Sequence, residues 1–123
     1  IAARAGELDL ILGDFNVAPA DVDVYDPAAF AGSTHVTEDE RSRLRAILDR
    51  GFVDAAAHLH PGEQRFTWWD YRQGHFHRGL GLRIDLCLAR DSLVPRLREC
   101  AIARDYRKGT KPSDHAPLVL TLD

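Results

Sequence analysis

Three short runs bring groups of complementary chemistry to the ends of apolar segments: Asp14-Phe-Asn16, Asp85 within Leu82-Arg-Ile-Asp85-Leu, and Ser113-Asp114-His115. Carboxylates beside a carboxamide, without the Cys/His spacing of a zinc site, suit a hard cation such as Mg²⁺. A histidine with an aspartate available to orient it can hold a proton and face an anionic phosphate. Singly, each motif is equally well a turn former or a helix cap. Their joint occurrence at strand ends, beside a basic loop and the Trp68–Trp69 pair, is what points to chemistry. There is no Gly-x-Ser-x-Gly elbow and no serine placed to pair with the histidine, so acyl transfer is unsupported. Neither a P-loop nor a Gly-x-Gly-x-x-Gly fingerprint is present, which leaves nucleotide cofactors unsupported too. Metal-assisted hydrolysis of a phosphodiester remains.

These residues need elements to hold them. Leu8–Phe15 is a short apolar run ended by Gly13 and Asp14 and predicts a buried strand. Residues 17–36, broken by Pro19, Pro27 and Gly32, predict a long loop. Thr37-Glu-Asp-Glu40 matches a capping box, and Leu44, Ile47 and Leu48 share one face, so a helix is expected over about 38–50, closed by Gly51. Phe66–Tyr71 predicts a strand, and the glycines of 72–81 a flexible connection. Leu82, Ile84, Leu86 and Leu88 alternate with Arg83, Asp85, Cys87 and Ala89, the period of a strand with one buried face. A helical turn at Asp91–Pro95, a strand over Arg98–Asp105, a basic loop over 106–116 and a closing strand at Leu118–Leu122 complete the chain. Five strands to one strong helix predict an α+β fold with one largely antiparallel sheet and helices on one face.

The chain has 123 residues, with 45% hydrophobic and 28% charged, a composition that excludes disordered and collagenous chains. No apolar run approaches the ~20 residues that span a bilayer, so no membrane association is expected. Two cysteines, Cys87 and Cys100, fit a reducing compartment and hence the cytoplasm better than a disulfide scaffold. The net charge of −3 is unevenly spread. Residues 1–71 carry 6 Lys/Arg against 13 Asp/Glu, whereas residues 72–111 carry 10 against 4. A basic segment flanked by acidic ones suits a polyanion held beside metal-binding carboxylates, and a solvated Arg-rich surface accounts for it as well. The chain contains no methionine, and we expect it to be part of a longer polypeptide.

Gly13-Asp-Phe-Asn16, Phe66-Thr-Trp-Trp-Asp-Tyr-Arg72, Leu82-Arg-Ile-Asp85-Leu and Lys111-Pro-Ser-Asp-His-Ala-Pro117 stand in the order and spacing of another set of proteins. In these motifs the chain resembles the bacterial exonuclease III family, AP endonucleases within the wider endonuclease/exonuclease/phosphatase superfamily. The likeness covers essentially all of residues 1–123 and implies the C-terminal portion of a single domain, half of a four-layer α/β sandwich. It also implies a Mg²⁺-dependent phosphodiesterase of base-excision repair, with Mn²⁺ as a substitute. Such an enzyme acts on double-stranded DNA at abasic sites and 3′ ends and is a monomer when full length. On the same resemblance Asp14 orients the attacking water, Asn16 hydrogen-bonds the scissile phosphate, and Asp85 pairs with His115, which offsets charge on the phosphoryl oxygens. Asp114 is implied near the metal, Trp68 at the pocket for a base-free sugar, and Arg72 at the DNA backbone. The family's first half supplies a glutamate metal ligand, an asparagine and a tyrosine that no motif here provides, so activity is expected of the parent protein and not of the isolated chain. The alternatives are a superfamily member acting on a lipid, an inositol phosphate or RNA, and a non-catalytic DNA-binding remnant.

Other residues carry less. His75 and His77 lack the further ligands of a zinc site and are expected in a solvated loop. His58, His60 and His35 are expected in surface turns, and Trp69 in the core. Among the basic residues, Arg104, Arg107, Lys108 and Lys111 are the candidates for phosphate contact.

Overall fold

The computed structural model describes residues 7–71, 74–108 and 112–123. Its core is organised around β5 (Asp85–Arg90), which pairs antiparallel with β1 (Leu10–Asp14) on one side and β2 (Phe52–Asp54) on the other. Leu86, Cys87, Leu88 and Ala89 are all fully buried. The strand therefore has two buried faces, where the alternating pattern had predicted one. Leu86 and Leu88 pack with Ile11, Leu44 and Phe52, while Cys87 and Ala89 pack with Ala55, Ala56, Leu97 and Cys100. Small side chains at Cys87 and Ala89 read as polar-face positions in a period-2 pattern, yet they are the size that lets a second layer close on the strand. Burying each leucine contributes about 1.5–3 kcal/mol, so this strand is the energetic centre of the chain.

One layer is α2 (Glu38–Leu48), with α1 being the single turn Pro27–Phe30. The predicted capping box is present: the Glu40 amide donates to Thr37 Oγ1 at 3.2 Å, and the Thr37 amide to Glu40 Oε1 at 3.4 Å. Leu44 is the buried contact of this helix, and Gly51 takes the positive φ of 97° that reverses the chain into β2. The segment 17–36 is less featureless than expected, because Asp21–Asp23 forms a 3-10 turn and Asp26 caps α1. The second layer is α3 (Ala55–Leu59), capped by Asp54. Neither β2 nor α3 was evident from the sequence. Each is too short to show a period, and α3 gains its place by packing the small side chains of Ala55 and Ala56 against β5 and β6 (Leu97–Ile102).

Two further antiparallel pairs complete the fold, β3 (Trp68–Trp69) with β4 (Gly81–Leu82) and β6 with β7 (Leu118–Leu122). The α+β class and the antiparallel pairing are as expected, with the strands hydrogen-bonded in three groups. The strand expected over Phe66–Tyr71 narrows to two residues, and the one expected over Leu82–Ala89 divides at Arg83 and Ile84. At that division the Ile84 and Asp85 amides both donate to Thr67 Oγ1, each at 3.1 Å, in place of a strand partner. Arg83 meanwhile enters the interior and bonds Asp23 at 2.7 Å and Asp54 at 2.8 Å. A Cβ at Gly81 would stand 2.7 Å from both Phe66 Cβ and Trp69 Nε1, so only glycine lets β4 close on this aromatic corner. The strand expected over Arg98–Asp105 ends at Ile102, and Arg104–Arg107 forms a 3-10 turn. Among the described residues no helix is long and apolar enough to cross a membrane.

Candidate active site

The site forms where β1 and β5 end together. Antiparallel register sets Asp14 opposite Asp85, so two carboxylates that are 71 positions apart in the sequence share one sheet edge. Beyond Asp14 the chain turns sharply. Asn16 adopts φ 55°, a conformation that asparagine tolerates better than most residues. Its backbone N–H donates to Asp14 Oδ1 at 2.9 Å, which fixes the Asp14 carboxylate from one side.

The third segment arrives through β3. Trp68 and His115 form an isolated antiparallel bridge, the Trp69 amide donates to Asp114 O at 3.1 Å, and the Ala116 amide donates to Thr67 O at 2.7 Å. Ser113 Oγ accepts the His115 amide at 3.1 Å. These bonds hold residues 113–116 as an extension of the small β3–β4 sheet and carry His115 to the Asp14–Asp85 edge.

His115 Nδ1 lies 2.7 Å from Asp85 Oδ2. A carboxylate only accepts, so Nδ1 carries the hydrogen and Nε2 is the nitrogen left to face the site. Nε2 stands 3.6 Å from Asp14 Oδ2 and 3.8 Å from Asp114 Oδ1. The Asp85 side chain is the most buried of the four at 15% exposed, while Asp14 is 37% exposed. The orienting member is thus inside and the others face solvent. Trp68 donates its indole N–H to Asp114 Oδ2 at 3.0 Å and is half-buried, whereas Trp69 is buried edge-on against Phe66 and Phe76. A cavity of about 420 Å³ opens along Leu12, Gly13, Asp85, Ser113 and His115.

Asp14, Asp85 and His115 each offer a ligand atom within 4.8 Å of the others, an oxygen-rich set that fits a hard divalent cation. Asp114 borders this group, one of its oxygens taken by Trp68 and the other turned toward His115. Of the residues singled out in the sequence, Asp14, Asp85, Asp114, His115 and Trp68 form one connected set, and Asn16 joins it through its backbone. Arg72 and Lys111 lie outside the described residues. Arg104 and Arg107 stack over the Trp69 and Phe76 rings, and Arg107 is buried with a bond to Trp69 O at 3.0 Å.

Two contributors had no signal in the sequence. Thr67 sets the Asp85 backbone, as described above, and looks like an ordinary strand threonine. His35, expected in a surface turn, lies beside Asn16 and Trp68, with Nδ1 2.7 Å from Asn16 O. Only the return of the 17–36 segment onto the sheet edge brings it there.

The Endonuclease/Exonuclease/phosphatase family matches residues 1–115 of the chain. The chain is 32% identical over 115 residues to an exodeoxyribonuclease of Bacillus subtilis, a match covering 93% of the chain and 44% of that protein. It is 35% identical over 116 residues to exodeoxyribonuclease III of Haemophilus influenzae, covering 89% of the chain and 43% of that protein. Among solved structures, a 3′-5′ exonuclease from Neisseria meningitidis superposes with a TM-score of 0.90 at 39% identity, over 93% of the chain and 44% of its own. An AP endonuclease from Archaeoglobus fulgidus superposes with a TM-score of 0.89 at 38% identity, over 98% and 49%. The chain thus spans less than half the length of these relatives.

Proposed function

The chain belongs to the Endonuclease/Exonuclease/phosphatase family, and on that premise we propose that its site serves a Mg²⁺-dependent phosphodiesterase of DNA base-excision repair. The substrates are double-stranded DNA cut 5′ to abasic sites and DNA 3′ ends trimmed by single nucleotides. The protein works in the cytoplasm, as a monomer when full length. One observation carries the proposal: His115 is tied to Asp85 at 2.7 Å through Nδ1 while its Nε2 faces Asp14. This arrangement presents a fixed imidazole face and a solvent-accessible carboxylate to one small volume, as in-line attack on phosphorus requires.

Asp14 orients the attacking water and takes up its proton as the water oxygen bonds to phosphorus. The P–O3′ bond breaks on the opposite side, and the departing O3′ takes its proton from solvent, leaving a 3′ hydroxyl and a 5′ phosphate. Asn16 lends its carboxamide to a non-bridging phosphoryl oxygen, and His115, kept in one tautomer by Asp85, offsets the charge that grows there. Asp114, at the border of the Asp14–Asp85–His115 group, would help hold the cation there, and the cation when bound would supply further neutralisation of that charge. Trp68 walls the pocket for a base-free sugar, where an intact flipped-out base would clash, and Arg72 meets the DNA backbone.

The experiment is cleavage of an abasic-site duplex by the full-length protein with Mg²⁺, with and without EDTA, for the wild type, Asp14→Asn and His115→Asn. We expect EDTA-sensitive cleavage and a loss of about 10²-fold or more in each variant, with DNA binding retained. Unchanged rates in both variants would refute the assignment of the site. Preferred hydrolysis of an inositol phosphate, a phospholipid or RNA over abasic DNA would refute the substrate.

A further inference from the structure

We propose that His35 is a positioning residue of this site, holding Asn16 and Trp68 in one rigid wall; the role rests on the phosphodiesterase proposal above. His35 and Asn16 are the two non-glycine residues with positive φ among the described residues, at 77° and 55°. Such a conformation is uncommon for any residue other than glycine, although Asn and His adopt it more readily than most, and it persists where surrounding bonds hold it. Here three bonds do so. The His35 amide donates to Glu40 Oε2 at 3.0 Å, the Ala18 amide donates to His35 O at 2.8 Å, and the His35 ring meets Asn16 O at 2.7 Å. A carbonyl oxygen only accepts, so the hydrogen resides on Nδ1 and the ring donates to the Asn16 backbone.

The same ring lies 6.2 Å from the Trp68 ring, tilted by 47°. Trp68 in turn donates to Asp114 Oδ2, Asp114 Oδ1 faces His115 Nε2, and His115 Nε2 faces Asp14 Oδ2. Asp14 Oδ1 accepts from the Asn16 amide and completes the circuit. His35 is the link that closes this ring of contacts between Asn16 and Trp68. Its anchor is Glu40, which also caps α2, so the wall is braced by the first turn of that helix. Without the ring's hydrogen bond the Asn16 peptide is free to leave its left-handed conformation. The Asn16 carboxamide and the Asp14 carboxylate then lose their common orientation. The expected consequence is a slower chemical step, because an orientation effect acts on the transition state more than on substrate uptake.

The test compares His35→Gly with His35→Asn in the full-length protein, together with Asn16→Ala and the His35→Gly/Asn16→Ala double variant. Glycine accepts the positive φ but removes the donor, whereas asparagine tolerates the positive φ and keeps an N–H donor close to the Nδ1 position. We expect His35→Gly to lower kcat about tenfold with little change in KM, His35→Asn to restore most of the rate, and the double variant to fall no further than Asn16→Ala alone. A full-sized kcat in His35→Gly, or additive losses in the double variant, would overturn the proposal. Should the wild type not cleave DNA, the functional reading fails by itself, and the NMR shift of the Asn16 amide decides the role of His35. A shift changed by His35→Gly and restored by His35→Asn supports it, and an unchanged shift overturns it.

Discussion

The hydroxyl of Thr67 accepts the backbone N–H of Asp85 at 3.1 Å, and the same oxygen accepts the amide of Ile84. Thr67 is fully buried, so no water stands in for it. The bond ends β4, starts β5 and determines where the Asp85 carboxylate emerges beneath His115. Thr67→Val keeps the shape and removes the acceptor, leaving two buried N–H groups without a partner. We expect a stability loss of about 1–3 kcal/mol in urea unfolding and a fall in activity beyond it, with Thr67→Ser close to wild type. A valine variant as stable and active as the serine variant would show that the Ile84 and Asp85 amides do not depend on the hydroxyl.

Asp85 sets the tautomer of His115. Asp85→Asn preserves size but can turn its amide N–H toward Nδ1 and expel the hydrogen to Nε2. Partners of this kind are worth about 10–100-fold, and we expect a kcat loss in that range with the fold intact. The ¹⁵N shifts of the His115 ring check it directly, since the two tautomers differ there. An unmoved tautomer with a lost rate would assign Asp85 some other part in catalysis.

Arg83 is buried and shared by two aspartates, bonding Asp23 through Nε and Nη2 and Asp54 through Nη1 and Nη2. Burial disfavours its charge, and the bonds to Asp54 and Asp23 outweigh this, so the guanidinium stays protonated at any working pH. Asp54 also caps α3, and Asp23 also accepts the Ala20 amide, so one side chain ties the 17–24 segment, α3 and the approach to Asp85 together. Arg83→Met leaves two buried carboxylates without their cation, and we expect a loss of about 3–5 kcal/mol, measured by urea unfolding. Arg83→Met combined with Asp23→Asn and Asp54→Asn should recover part of it. Equal stability of Arg83→Met and wild type would show that the pair is not coupled to folding.

His60 clamps α3 to β6, with Nε2 2.5 Å from Glu99 and Nδ1 3.0 Å from Glu63. The Glu99 hydrogen bond holds the imidazole above its usual 6.5, against burial and Arg65, which pull it down. Glu99 is held below the usual carboxylate value, chiefly by the same bond. A group raised on folding stabilises fully below its unfolded value, so the His60 contribution is complete below about pH 6.5 and fades as pH rises through the higher folded value. The Glu99 contribution is lost only in acid, as pH falls through its lowered value. Tm should therefore decline as pH rises above about 6.5, and His60→Gln should flatten that decline. Parallel Tm curves for the two proteins would remove the clamp from the stability of the fold.

The resemblance of four short motifs was enough to name Asp14, Asp85, Asp114, His115 and Trp68, because each sits in a run whose spacing survives in linear form. The Thr37–Glu40 cap and the helix that follows were equally legible, since capping and helical period are local properties of a few residues. Strand alternation also predicted that one of Trp68 and Trp69 is core and the other exposed, because successive strand residues point to opposite faces, and the resemblance put Trp68 at the site; Trp69 is the buried one. What it left undecided depends on long-range packing. A Cys or Ala beside leucines is silent about which face it covers, and only the arrival of α3 and β6 makes the second face of β5 interior. Likewise Thr67, Arg83 and His35 acquire their roles from partners 17 or more residues away, and such closures are chosen by the whole core and not by neighbouring residues. The chain determined by itself which groups could do the chemistry. The tertiary structure decided which of them share an edge, because a hydrogen bond of 2.7 Å between Asp85 and His115 exists only after residues 113–116 have bridged to β3, and Asp14 joins them only after β1 has paired with β5.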